Sequence, residues 1–195
     1  IETVVGGTGA DSVTLLAGAS GANISLGAGA DVLTLANFNN TLSIDSSTES
    51  LVGGTLADAI TLTAPDTGGI YDLGAGTDTL RLLATGTAAN SVTVSNIESL
   101  VGGSGADTVV LSTLANNAVF DLGAGAGDKI TLNDSGNNTL RVGGAETIVG
   151  NDGDDTVTLT TALSGTGLSI VLGSGTDSLS LANGVNTLTL ASDIE

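Results

Sequence analysis

Cysteine, histidine, methionine and tryptophan are all absent from this chain of 195 residues, and proline occurs once. Without Cys there can be no disulfides, zinc-thiolate sites or thiol chemistry. Without His the chain lacks the side chain that most often moves protons near neutral pH. Basic residues are nearly missing too: Lys129, Arg81 and Arg141 stand against 21 acidic residues, for a net charge of -18. Such a surface repels phosphate backbones and anionic headgroups, so neither nucleic-acid binding nor membrane-surface binding is expected. No apolar run approaches the roughly 20 residues of a helical membrane span, and no membrane insertion is expected. Aromatic residues make up 2% of the chain, so its core has to be built from Val, Leu, Ile and Ala.

Glycine, by contrast, is abundant at 30 residues, without the Gly-X-Y period of collagen, which points to frequent tight turns. A longer phrase recurs as well. IETVVGGTGAD at 1–11 returns as ESLVGGTLAD at 49–58, IESLVGGSGAD at 97–107 and AETIVGNDGDD at 145–155. Its acids Glu2, Glu49, Glu98, Glu146 and Glu195 are 47, 49, 48 and 49 residues apart. Four near-copies at 1–47, 48–96, 97–144 and 145–193 therefore fill the chain, and one continuous structure over 1–195 is expected. The chain starts without Met and ends inside the recurring phrase, as expected of an excerpt from a longer polypeptide whose targeting or secretion signal lies elsewhere.

A finer beat runs inside each copy, in which a polar residue is followed by x-h-x-h with h aliphatic. In the first copy the beats start at Glu2, Asp11, Asn23, Asp31 and Asn40, 9 to 12 residues apart. Each alternating run reads as a short, half-buried strand with Val13, Leu15, Leu33, Leu35, Leu42 and Ile44 on one face and Thr14, Thr34 and Ser43 on the other. Strands this short cannot bury their apolar face alone, whereas stacked coils build a continuous inner ladder. The expected fold is all-β, a right-handed parallel β-solenoid of the β-roll or β-helix kind with four repeats of about 48 residues. Its lumen is expected to be too narrow for rings. The competing architecture is an antiparallel β-sandwich, which near-identical repeats and the shortage of large core residues disfavour. Five beats divide evenly into neither two nor three strands per coil, so either the faces alternate between copies or a linker hides an irregular strand.

Between the strands one turn design recurs. GGTGAD at 6–11 and GGSGAD at 102–107 read G-G-x-G-x-D in full, GGTLAD at 53–58 has Leu56 for the third Gly, and GNDGDD at 150–155 has Asn151 for the second. A second series, LGAGAD at 26–31, LGAGTD at 73–78, LGAGAGD at 122–128 and LGSGTD at 172–177, begins with Leu. Alternating glycines reach left-handed backbone angles without a Cβ penalty. These turns resemble the nonapeptide of the RTX (repeats-in-toxin, haemolysin-type) family, which has surface-layer and adhesin members. The resemblance implies a Ca2+-binding β-roll. It places the carboxylate ligands at Asp11, Asp31, Asp58, Asp78, Asp107, Asp128, Asp155 and Asp177, and carbonyl donors at Gly6, Gly7, Gly9, Gly27, Gly29, Gly102, Gly103 and Gly105. The spacing departs from the family pattern: Asp11 and Asp31 are 20 residues apart and Asp58 follows after 27, so at most one turn of the first series can lie over one of the second. Asn40, Asn90, Asn138 and Asn186 hold the third polar position and could form a hydrogen-bonded ladder that needs no ion. Asp and Asn at turns also commonly bond to their own backbone.

Function is expected to be architectural. No enzyme is expected, because His and Cys are absent and Arg81 and Arg141, which could in principle work with paired carboxylates, occupy outward slots without an equivalent in copies one and four. An ice-binding face is disfavoured by the Arg and Val interruptions in the outward series Thr14, Thr34, Ser43, Thr61, Arg81, Thr93, Val110, Thr131, Arg141, Thr158, Ser180 and Thr189. What remains is an extracellular structural protein at a bacterial cell surface, part of a surface layer or filament and stabilised by Ca2+, with the stalk of a secreted RTX-type adhesin as the alternative. Polysaccharide modification ranks lower. The expected partners are further copies, end-to-end or lateral, and a cell-surface glycan.

Overall fold

A computed structural model describes all residues except 83–85, 164–166, 189, 191–193 and 195; Thr189 and Glu195 of the sequence patterns therefore lie outside the described residues. The first phrase contributes β1 (Thr3–Gly7), β2 (Ser12–Thr14), β3 (Ser20–Gly27), β4 (Val32–Thr34) and β5 (Asn40–Ile44). The second contributes β6 (Ser50–Gly54), β7 (Asp58–Leu62), β8 (Thr67–Gly74), β9 (Thr79–Arg81) and β10 (Ser91–Ser95). From the third come β11 (Ser99–Gly103), β12 (Thr108–Leu111), β13 (Asn116–Gly123), β14 (Lys129–Thr131) and β15 (Thr139–Gly143). The last supplies β16 (Thr147–Asp152), β17 (Thr156–Leu159), β18 (Ser169–Ser174) and β19 (Ser178–Ser180).

Odd-numbered strands form one sheet of ten and even-numbered strands a second sheet of nine, here called sheets I and II. Each strand pairs only with the strands two before and two after it, and each of these pairings is parallel. This is a β-solenoid of about nine turns with two strands per coil, and the parallel pairing disposes of the antiparallel sandwich. The structural period is the coil, 17 residues between Ser91 and Thr108 and 23 between Ile70 and Thr93, rather than the 48-residue phrase. A phrase of five strands spans two and a half coils. Its opening therefore falls on sheet I at β1 and β11 and on sheet II at β6 and β16. Of the two alternatives left by the beat, alternation of faces is the one realised.

Inward side chains form straight rows along the solenoid axis. On sheet I, Leu42, Ile60, Leu80, Leu100, Phe120, Val142 and Leu159 stack in register. Val92, Val109, Ile130, Ile148 and Ile170 do so on sheet II. All of them are buried, and each coil's row member gains most of its burial from the coils above and below. The lumen is wider than aromatic scarcity implied. Tyr71 and Phe120 are fully buried within it, which overturns the expectation of a channel that excludes rings, and only Phe38 of the three aromatics is exposed.

Glycine is placed where coils touch backbone to backbone. A Cβ on Gly6 would lie 2.0 Å from the Leu26 carbonyl oxygen of the next coil, and one on Gly27, at φ +96°, would lie 2.0 Å from the Gly7 oxygen. The two turn series are thus complementary. The G-G spelling of the first makes room for the L-G spelling of the second, which stacks directly on it.

Candidate functional site

Two polar ladders run the length of the solenoid, one at the corner leading into each sheet. At the sheet II corner the Asp11 N–H donates to Asp31 Oδ1 (2.7 Å) and the Asp31 N–H to Glu49 Oε2 (2.7 Å). Further along, the Asp66 N–H donates to Asn90 Oδ1 (3.1 Å), the Asn90 N–H to Asp107 Oδ1 (2.9 Å), the Asp107 N–H to Asp128 Oδ1 (2.7 Å) and the Asp128 N–H to Glu146 Oε2 (2.9 Å). The sheet I corner repeats the order: the Ala19 N–H to Asn40 Oδ1 (3.0 Å), Asn40 to Asp58 (3.1 Å), Asp58 to Asp78 (2.7 Å) and Asp78 to Glu98 Oε2 (2.8 Å). It resumes with Ala115 to Asn138 (3.1 Å), Asn138 to Asp155 (2.8 Å) and Asp155 to Asp177 (2.8 Å).

The link is reciprocal. While Asp31 accepts from the Asp11 N–H, the Val32 N–H donates to the Asp11 carbonyl (2.9 Å), so each corner is tied to the next by one backbone and one side-chain bond. A carboxylate here stands in for the strand carbonyl that the turning chain cannot supply, and an ionised acceptor makes the stronger bond. Asn adds its own donor: Nδ2 of Asn40, Asn90 and Asn138 reaches Oδ1 of Asp58, Asp107 and Asp155 at 2.8, 2.9 and 2.9 Å. The Asn residues therefore bond the Asp of the following coil rather than one another.

The structure brings the eight candidate Asp residues together in pairs, Asp11 with Asp31, Asp58 with Asp78, Asp107 with Asp128 and Asp155 with Asp177. All but Asp11 are buried. Within a pair the second oxygens differ. In the first series Oδ2 of Asp11, Asp58 and Asp107 accepts from the N–H of Gly7, Gly54 and Gly103 at 3.1, 3.2 and 3.1 Å. In the second series Oδ2 of Asp31, Asp78, Asp128 and Asp177 is buried with no hydrogen-bond partner, and so is Oδ2 of Asp155, whose turn carries Asn151 where the others carry that glycine. Burial pushes the Asp78 carboxyl up to about 6, against its backbone hydrogen bond and with help from Glu98 and Asp58. Asp128 also rises to about 6 through burial, aided by Glu146 and Asp107, and burial raises Asp155 as well.

The residues supply anionic oxygens for Ca2+ but no cage. Among the described residues no three acidic side chains are grouped to hold a metal. Two of the expected carbonyl donors are already engaged, Gly7 O by the Ala28 N–H (2.9 Å) and Gly103 O by the Ala124 N–H (2.9 Å). Gly9 and Gly105 lie under Gly29 and Gly125, where an added Cβ would sit 2.4 and 2.3 Å from their oxygens. The turns are packed coil on coil at these glycines.

Sequence reasoning missed four ladder members. Glu49, Glu98 and Glu146 close three of the runs of acceptors, and their position just before a strand, the one Asp occupies elsewhere, was the available signal. Asn23 was read as a beat start, but it lies exposed in β3, and the corner position belongs to Ala19. The extra length of β3, β8 and β13 hides this, because each carries a register shift where it meets the following coil. At the equivalent position of the second phrase, which falls on the sheet II corner, Asp66 stands in place of Ala19 and Ala115, and its Oδ2 accepts from the buried Tyr71 hydroxyl. Asn186, which the sequence placed in a ladder of Asn residues, accepts from the Leu163 N–H (3.1 Å) instead. Arg81 and Arg141 are exposed on β9 and β15 of sheet I. Neither a protein-family model, nor a curated protein, nor a solved structure matches the chain.

Proposed function

We propose that this chain is a structural element of an extracellular assembly, an acidic rod that forms part of a surface layer or filament at a bacterial cell surface. The observation that carries the proposal is the strictly nearest-neighbour pairing of the strands, in which each coil touches only the coils before and after it. Such a molecule gains length by adding coils and needs no redesigned core. Its chemistry is spent on holding coils together: the acids and amides of the ladders are buried acceptors for backbone N–H groups. A right-handed winding, the hand that parallel crossovers nearly always take, belongs to the same proposal, as does the 48-residue phrase as the unit of duplication. Copies of the chain are its proposed partners, with a cell-surface glycan as a further one.

Calcium is a separable part of the proposal. The five unpartnered carboxylate oxygens at the glycine-aspartate turns support it, and the lack, among the described residues, of three acidic side chains drawn together tightly enough to hold one ion weighs against it. The stalk of a secreted adhesin is the second reading, favoured by the same one-dimensional build.

Electron microscopy of the purified protein, with Ca2+ and with chelator, tests these ideas. Ordered sheets or fibres are expected of a layer or filament. Dispersed single rods would transfer the chain to the stalk reading, and compact particles would defeat both. A melting temperature unchanged by chelator would remove calcium and leave the rest intact.

A further inference from the structure

The coil separates two outer faces that the sequence interleaves, and they differ in charge. Arg81, Asp121 and Arg141 point outward from sheet I, together with Thr61 and Thr158. The outer face of sheet II carries a central row of Ser12, Val32, Ser50, Ile70, Thr93, Val110, Thr131, Val149 and Val171, in continuous register over nine strands. Three of its aliphatic members are open to solvent, Ile70 at 51% exposed, Val110 at 37% and Val171 at 40%, while Val32 and Val149 are half-buried, and Val52 in the next row is 42% exposed. Apart from Asp152 at the corner that ends β16, the charged groups on this sheet's outer side are Asp72 and Lys129, which cancel. A chain of net charge -18 thus has a broad face that carries a continuous aliphatic row and only one net negative charge.

We infer that the outer face of sheet II is a pairing surface for a second copy of this chain, laid face to face. This rests on the assembly proposed above and names the surface it uses. Charge argues for the occupant. Two molecules this acidic repel through most of their surface, and on the outer face of sheet II an aliphatic row can approach its copy past only Asp72 and Asp152, with Lys129 between them in strand order. The rows argue for flat packing, because β-branched side chains at strand spacing present a corrugated surface to which a second such sheet is complementary, at about 10 Å between sheets. Nine strands about 4.8 Å apart make a face roughly 40 Å long. Three side-chain rows across, that footprint is below the ~800 Å² per partner of a standard interface, so the pair is weak over this stretch and strengthens with every added coil. Since apolar contact works here against net repulsion, salt screens the repulsion and tightens the pair, the reverse of association through opposite charges.

Sedimentation velocity over a concentration series reaching millimolar, at low and high salt, reads the pairing. The expected result is a monomer–dimer equilibrium that shifts towards dimer as salt rises. The double variant Ile70→Glu/Val110→Glu should be monomeric throughout, while Thr61→Glu/Thr158→Glu on sheet I, with the same added charge, should pair as the parent does; unchanged far-UV circular dichroism shows that both variants fold. Because the chain has no Cys, Thr93→Cys in the middle of the row provides a second readout. It should form a disulfide-linked dimer under mild oxidation, and Thr61→Cys should not. If the parent assembles but the sheet II and sheet I variants behave alike, the face is wrong and the assembly proposal survives. A parent monomeric at every concentration and salt would overturn the pairing. Retention on an insoluble polysaccharide that is lost in the sheet II variant would then give the face to a flat lattice instead.

Discussion

Asp58 and Asp78 stack on each other at one corner, close turns of nearly the same spelling and are equally buried, yet their carboxylates end differently. Asp58 places one oxygen on the Asn40 N–H and the other on the Gly54 N–H. Asp78 places one oxygen on the Asp58 N–H and leaves the other dry and unpartnered, beside two further acids. The difference recurs in Asp107 and Asp128. It shows that one motif can serve two electrostatic purposes. At Asp58 and Asp107 the first-series turn satisfies its own carboxylate, whereas at Asp78 and Asp128 the second-series turn holds a carboxyl that gains from a proton.

The largest effect that tests this stacking is steric. Gly6→Ala drives a Cβ against the Leu26 carbonyl, and a loss of about 3 kcal/mol or more in chemical denaturation is expected. Gly9→Ala, three residues on in the same turn, meets nothing within 4 Å and should change stability by less than about 0.5 kcal/mol. Equal effects would mean that the coils do not stack as described.

Next in size is an exchange in which the two series should respond with opposite signs at neutral pH. Asp107→Asn turns an amide donor towards the Gly103 N–H and should destabilise by about 1–3 kcal/mol. Asp128→Asn keeps an oxygen for the Asp107 N–H and removes a buried charge next to Glu146 and Asp107, so it should be neutral or stabilising.

The same contrast predicts a pH dependence. Asp78 and Asp128 sit at about 6 in the folded chain against an ordinary 3.8. Between these values the folded chain keeps protons that the unfolded chain has released, so their contribution is fully present below the lower value and is lost as pH rises through the upper one. Melting temperature should therefore rise as pH falls from about 7 towards 4, and the double variant Asp78→Asn/Asp128→Asn should flatten that slope. A slope of the opposite sign in the parent would show that other carboxylates dominate.

The smallest expected effect is a coupling. Tyr71→Phe leaves Asp66 Oδ2 without its hydroxyl donor and should lose about 1–2 kcal/mol. Adding Asp66→Ala should recover much of it, because Phe120 with Ala115 fills the equivalent place one phrase later without a polar pair. Additive single effects would break the equivalence of the two coils.

Much of this was legible in the residues themselves. Alternation of period two announced the strands and sorted inward from outward side chains, as Leu33 and Thr34 show. Five beats per phrase correspond to five strands in each of the first three phrases. The turn glycines were recognisable, and so was the limit of one first-series turn over one second-series turn. Less legible were Glu49, Glu98 and Glu146 as acceptors, because an acid just ahead of a strand reads equally well as a solvated charge. The ring-bearing lumen was missed because scarcity of aromatics speaks of how often rings occur and not of how much room they have.

By itself, then, the sequence determined the strands, their inward faces, the turn chemistry and the acidic, cysteine-free character of the surface. Only tertiary structure decided that a coil holds two strands, and everything distant in sequence follows from that. With five strands per phrase and two per coil, successive phrases fall on opposite sheets, which puts Asn40 against Asp58, Asp58 against Asp78, and all the exposed Arg on one face. The physical reason is that a side-chain period of two says which side of a strand is buried but not which of two equivalent sheets the strand joins; closure of the coil around its aliphatic rows makes that choice.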